Sequence, residues 1–153
     1  DSIYNAFLAD YSEGKAFMHS HTYAGNPLAC SCALAVIKIL KRDHIIERAC
    51  KLGDWLSEEF ERRFMKIDSV GGVRHIGLIN ALELVKDRAT REPFDCSLRL
   101  GYRIYQNALK KGLLLRPIGD VLYFNPPLNI KKEDLEKAMD IAYESITEEL
   151  GKL

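Results

Sequence analysis

The sequence carries no excess charge of either sign: 22 Lys and Arg balance 22 Asp and Glu. No cluster of basic residues stands out along any stretch, so the electrostatic footprint of a nucleic-acid binder is missing. No apolar run approaches the roughly 20 residues that a bilayer span requires; the longest in the first helical segment, Leu28 to Leu40, is broken by Ser31 and Lys38. Asp1 to Asp10 holds acids and no basic n-region, which predicts neither a secretory signal nor a transit peptide and favours a cytoplasmic address. Cysteine is limited to positions 30, 32, 50 and 96, without the paired spacing of a small secreted framework. Reduced thiols are expected. Cys30 and Cys32 lie two apart on a helix and point to nearly opposite sides, so no metal site is expected there. No internal repeat or low-complexity tract is present.

What remains is an ordinary globular composition, 47% hydrophobic and 29% charged over 153 residues, enough to bury one core without staples. Asp1 to Lys15 suggests a short helix or turn followed by an exposed connector. Asn26 is a good N-cap and Pro27 suits the first helical position, so a helix is expected from there to about Leu40, with Leu28, Cys32, Ala35 and Ile39 as its apolar stripe. Asp43 should cap a second helix through Ile45, Ala49, Leu52, Leu56 and Phe60, ending near Met65.

Gly71-Gly72 is the only candidate hinge, and Val73 to Val85 reads as one or two strands. Asp95 should cap a third helix through Leu98, Tyr102, Tyr105 and Leu109, closed by Gly112. Leu113–Arg116 and Val121–Phe124 flank the turn residues Pro117–Asp120 as two short strands, and Pro126-Pro127 ends the second. Leu135, Ala138, Met139, Ala142 and Ile146 mark a last amphipathic helix. The expected fold is α/β of the α+β kind: long helices followed by a small, mostly antiparallel sheet covered by helices.

Two places carry residues that a simple core does not need. In His19-Ser20-His21-Thr22-Tyr23-Ala24-Gly25-Asn26-Pro27, a hydroxyl, imidazoles and backbone N–H groups meet just before a helix N-terminus, which favours an anion such as phosphate. In Leu115-Arg116-Pro117, a guanidinium leaves an apolar strand, and the proline keeps Arg116 extended. Its planar fork suits a carboxylate, and Tyr123 across the turn offers an aromatic wall or a hydroxyl. Each residue also has a plainer reading. Thr22 serves equally as a turn or capping residue, and Arg116 as a surface arginine. His19 and His21 serve as loop histidines, and Tyr123 as a packed strand aromatic.

The wording of these motifs carries more than their spacing. Phe17 to Cys30, reading FMHSHTYAGNPLAC, resembles the loop-to-helix segment of class III pyridoxal-phosphate aminotransferases. Leu115 to Pro127, reading LRPIGDVLYFNPP, resembles the C-terminal hairpin of the branch that works in biotin biosynthesis. The resemblance covers nearly the whole chain. It implies the C-terminal part of a fold-type I pyridoxal-phosphate transferase. Residues 1–69 would be the end of the cofactor-domain region with the phosphate loop and long interdomain helices, and residues 70–153 the small domain.

The implied reaction transfers an amino group, typically from S-adenosylmethionine, through pyridoxal 5'-phosphate to 8-amino-7-oxononanoate. The implied assembly is a homodimer whose active sites are shared across the interface. Thr22 would contact the cofactor phosphate of the neighbouring subunit, with His21 beside it; Ser20, Arg116 and Tyr123 would face substrate, Arg116 holding the oxononanoate carboxylate. Ser20 stands where the family usually has glycine. The family's cofactor-anchoring lysine, its covalent anchor and general base, lies upstream of the His19–Pro27 loop, and Lys15 in Ser-Glu-Gly-Lys does not match its segment. No catalytic residue is therefore expected within this chain, and amino transfer needs the upstream part. The rival readings are another class III enzyme acting on ω-amino acids, which the Arg116-Pro117 motif opposes, and a non-catalytic dimerising module.

Overall fold

A computed structural model describes residues 1–153, which form two compact units, Asp1–Ile39 and Leu40–Leu153. The first opens with α1 (Ser2–Phe7) and a single 3-10 turn at Tyr11–Glu13, followed by a loop and most of α2 (Pro27–Arg42). Asn26 caps α2 as its sequence position requires, its Oδ1 accepting from the N–H groups of Leu28 at 3.0 Å and Ala29 at 3.2 Å. The stripe Leu28, Cys32, Ala35, Ile39 has the expected spacing, yet α2 buries none of its residues.

The second unit holds the core. α3 (Ile45–Phe64) buries Ala49, Gly53, Leu56, Phe60 and Phe64 along one face. It is not capped by Asp43, as its sequence suggests, because the neighbouring Arg42 guanidinium takes both carboxylate oxygens, at 2.6 and 2.8 Å. His44 makes the entry instead, in a left-handed conformation with φ 48°.

β1 (Val70–Ile76) and β2 (Ile79–Leu84) form an antiparallel pair, and β3 (Val121–Phe124) adds to β2, giving the order β1-β2-β3. Gly71 and Gly72, the candidate hinge, lie inside β1, where the pairing shifts by one residue between Val70 and Gly72. Residues directly opposite on antiparallel strands share a face. Val73, Leu82 and Leu122 line the core side, against α3. Arg74, Ala81 and Tyr123 line up on the other side.

α4 (Leu100–Lys110) and α5 (Lys132–Leu150) complete the layer, packed on each other. Asp95 does cap, but it caps a 3-10 turn at Cys96–Leu98, its Oδ1 accepting from the Ser97 N–H at 2.8 Å. α4 starts afresh after Arg99, whose φ of 47° interrupts the helix. That offset changes the buried face of α4: Leu100, Gly101, Ile104 and Ala108 are inside, while Tyr102 and Leu109 are exposed. Leu113–Arg116 runs without ladder bonds, so only one of the two strands expected around the Pro117–Asp120 turn forms; the turn is closed by a bridge between Ile118 and Val121. α5 buries Leu135, Met139, Ala142 and Ile146 of the stripe its periodicity marks, with Ala138 half-buried beside them. The result is the expected α+β arrangement, a three-stranded antiparallel sheet with helices on its core face. No helix is long and apolar enough to cross a membrane.

Candidate functional site

In the first unit Ser20, His21 and Thr22 sit on one exposed stretch that leads into a turn over Thr22–Gly25. The turn is held by two backbone bonds, Ala24 N–H to His21 C=O at 2.9 Å and Asn26 N–H to Tyr23 C=O at 3.1 Å, and Gly25 supplies the positive φ of 74°. Ser20 has no such φ, so the backbone here accepts a side chain without strain. The rings of His19 and His21 meet edge-on with centroids 5.0 Å apart, and Phe17 and Phe7 continue the row. That stacking gives the loop an internal order that no single residue would supply.

The sequence points to the N-terminus of α2 as the open donor for an anion. In the structure those helix-end donors are engaged. Leu28 and Ala29 already donate to Asn26 Oδ1, Cys30 donates to the Asn26 carbonyl, and Pro27 has no N–H. The groups left free are the N–H donors of Ser20, His21, Thr22 and Tyr23 and the hydroxyls of Ser20 and Thr22, none of which makes a hydrogen bond within the chain. Successive free amides and a hydroxyl in one turn are donors suited to phosphate oxygens. The donor set fits a phosphate; it does not fit a covalent anchor, because Lys15 is exposed and engaged with Glu13 at 2.7 Å. No group of three or more His, Cys, Asp or Glu is placed to hold a metal ion.

In the second unit Arg116 and Tyr123 lie on the two arms of one turn. Arg116 is exposed and has neither an ion pair nor a hydrogen bond, unlike Arg42, Arg62, Arg63, Arg91 and Arg103, which are all paired with carboxylates. Tyr123 is half-buried and lines an apolar cleft of about 240 Å³ with Leu113, Leu114, Pro126 and Ile130. Arg116 is not among the residues that line this cleft, although its neighbour Leu115 is.

Reading by motif passes over Arg74 and Gly101, and gives Asp120 only as a turn residue. Arg74 shares a row with Ala81 and Tyr123 and is likewise exposed and unpaired; only the strand register reveals it. Asp120 and Gly101 touch each other across nineteen residues, the Gly101 N–H donating to Asp120 Oδ1 at 3.0 Å. The Gly-Asp of the turn marks Asp120, and nothing local marks Gly101.

The family model described as aminotransferase class-III matches residues 2–146. The adenosylmethionine-8-amino-7-oxononanoate aminotransferase of Anoxybacillus flavithermus is 41% identical over 152 residues, covering 99% of this chain and 33% of that protein. Among solved structures, that of the adenosylmethionine-8-amino-7-oxononanoate aminotransferase from Methanocaldococcus jannaschii superimposes with a TM-score of 0.86 at 38% identity, over 97% of this chain and 34% of the other. A PLP-bound aminotransferase mutant from Vibrio fluvialis superimposes with a TM-score of 0.83 at 26% identity, over 92% and 31%. The chain thus spans about a third of the length of the relatives it matches.

Proposed function

The chain belongs to the class-III aminotransferases, and on that premise we propose that it is the C-terminal portion of an enzyme that moves an amino group from S-adenosylmethionine to 8-amino-7-oxononanoate in biotin biosynthesis. Residues 1–69 then end the cofactor-domain region and residues 70–153 form the small domain. Arg116 carries the reading: an exposed, unpaired guanidinium at the head of the turn that bears Tyr123, matching the substrate's single carboxylate.

Pyridoxal phosphate, when bound, supplies the electron sink and the carbonyl that takes up and releases the amino group. This chain's residues bind and orient. Thr22 and His21, with the free amides of their turn, hold the phosphate; Ser20 borders the substrate; Arg116 fixes the carboxylate and Tyr123 walls the amino-donor side. The anchoring lysine comes from the upstream part, so the chain alone transfers no amino group.

The partner is a second copy of the same enzyme, with Thr22 reaching the neighbour's cofactor. The exposed apolar side chains around it, Phe17, Met18, Tyr23 and Leu28, support an interface at this loop. Four exposed free cysteines suit a reducing, cytoplasmic compartment.

The test completes the chain with the upstream two thirds, roughly, of the Anoxybacillus flavithermus protein, co-expressed as a separate segment. In that assembly Arg116→Ala should raise KM for the oxo acid about thirtyfold, a loss of about 2 kcal/mol of charge-assisted binding, with kcat little changed. Arg116→Lys should recover only part, because an ammonium does not present two parallel donors. An unchanged KM in Arg116→Ala would remove the carboxylate role and leave an ω-amino acid enzyme as the better reading.

A further inference from the structure

We propose that Asp120 and Gly101 are positioning residues that mount the turn carrying Arg116 on the start of α4, an inference that rests on Arg116 being the carboxylate-binding group. The need arises at α4 itself. Arg99, the residue before the helix, is in a left-handed conformation and lays its guanidinium over the Tyr102 ring, 4.3 Å from the centroid, so it offers the helix no cap. The cap comes from nineteen residues downstream: Asp120 Oδ1 accepts from the N–H of Gly101, the second residue of the helix. That is the bond a local N-cap side chain normally makes, and a carboxylate there also meets the positive end of the helix dipole.

Two further contacts make the mount rigid. The Asp120 carbonyl accepts from the Leu84 N–H at 3.0 Å, tying the same residue to the end of β2, and Ile118 and Val121 exchange both backbone bonds at 2.9 and 3.0 Å. At Gly101 the backbones of helix and turn touch: a Cβ there would stand 2.1 Å from the Gly119 carbonyl oxygen and 3.2 Å from Pro117 Cβ. Any side chain at 101 displaces the turn. Pro117 fixes the direction of the chain after Arg116, so everything from Pro117 to Val121 is held while the Arg116 side chain is left free. A guanidinium meant to align two donors with one carboxylate gains from such a mount, because less freedom is lost on binding. A cap serving stability alone would not have to come from the turn that bears the unpaired arginine.

The experiment uses the completed assembly and the variants Asp120→Ala, Asp120→Asn and Gly101→Ala, each with and without Arg116→Ala. Asp120→Ala and Gly101→Ala should raise KM for the oxo acid about fivefold, with kcat and the KM for the amino donor moving less than twofold. Asp120→Asn keeps an oxygen that accepts from Gly101 and should restore KM to within about twofold. With Arg116→Ala present, the Asp120→Ala rise should vanish, since the device acts only through that arginine.

A full fivefold rise in that background, or no rise in its absence, overturns the proposal. If Arg116→Ala itself leaves KM unchanged, the carboxylate reading falls, and the positioning role with it. Amide hydrogen exchange on the 153-residue chain decides the mount without any activity. Asp120→Ala should speed exchange at Gly101, Ile118 and Val121 at least tenfold, Asp120→Asn should not, and unchanged rates at Ile118 and Val121 overturn the proposal.

Discussion

Glu149 shows what a single residue contributes outside the site. Its carboxylate is buried at the end of α5, where it accepts from the Arg103 guanidinium at 3.0 Å and from Lys152. The Lys152 hydrogen bond, with Arg103 adding to it, holds the carboxyl below the usual glutamate range against the opposing effect of burial. A lowered folded value means that the stabilisation is complete above the unfolded glutamate range and is lost as pH falls through it toward the folded value. Glu149→Gln should therefore cost about 1 kcal/mol at neutral pH, both cations being partly solvated, and much less near pH 3. Chemical denaturation at the two pH values checks this, and an equal cost at both would contradict it. Residue-scale features were legible where their grammar is local: Asn26-Pro27 announced a cap and a helix start and delivered both. Asp43 was not, because its neighbour Arg42 competes for it.

The elements that α3 brings together are set by close backbone approach and aromatic packing. A Cβ on Gly53 would stand 2.7 Å from the carbonyl of Gly77, in the turn between β1 and β2. Gly53→Ala must push helix and hairpin apart and should lower stability by about 1–3 kcal/mol. Phe60 is nearly fully buried, with its ring centroid 4.5 Å from that of Phe64 and 5.2 Å from that of Phe124, joining α3 to β3. Phe60→Ala should cost about 3–5 kcal/mol, read from the shift of a denaturant midpoint; a loss under 1 kcal/mol for either variant would contradict this account of the core. Periodicity found the buried face of α3 through Ala49, Leu56 and Phe60 and that of α5 through Leu135, Met139, Ala142 and Ile146, since each is one uninterrupted helix, but it passed over Gly53 and Phe64 in α3. It misassigned much of the inner face of α4, because the break at Arg99 restarts the helix: Tyr102 and Leu109 of the expected stripe are exposed, and Tyr105 alone packs against the core. Strand propensity likewise overstated Leu113–Arg116, whose backbone does not close a ladder with β3.

At the scale of the whole molecule, the family was readable from two motifs; of their residues, Ser20, His21, Thr22 and Arg116 are exposed and Tyr123 is half-buried. What motif reading could not supply is how Arg116 is mounted, because Asp120 and Gly101 meet only through the fold. Unit Asp1–Ile39 buries none of its residues, and large apolar side chains such as Ile3, Leu8, Phe17 and Leu28 are exposed. The isolated chain should self-associate in sedimentation velocity runs at micromolar concentration, and a clean monomer there would contradict the interface placed at the loop.

The central claim is that this chain is the carboxylate- and phosphate-binding part of a transaminase whose anchoring lysine lies upstream. The most direct measurement is the visible absorbance and amino-transfer rate of the chain with pyridoxal phosphate, alone and with the separately expressed upstream segment. The account predicts neither signal from the chain or the segment alone and both from the mixture. A mixture that assembles stably yet binds no cofactor and transfers no amino group would contradict it.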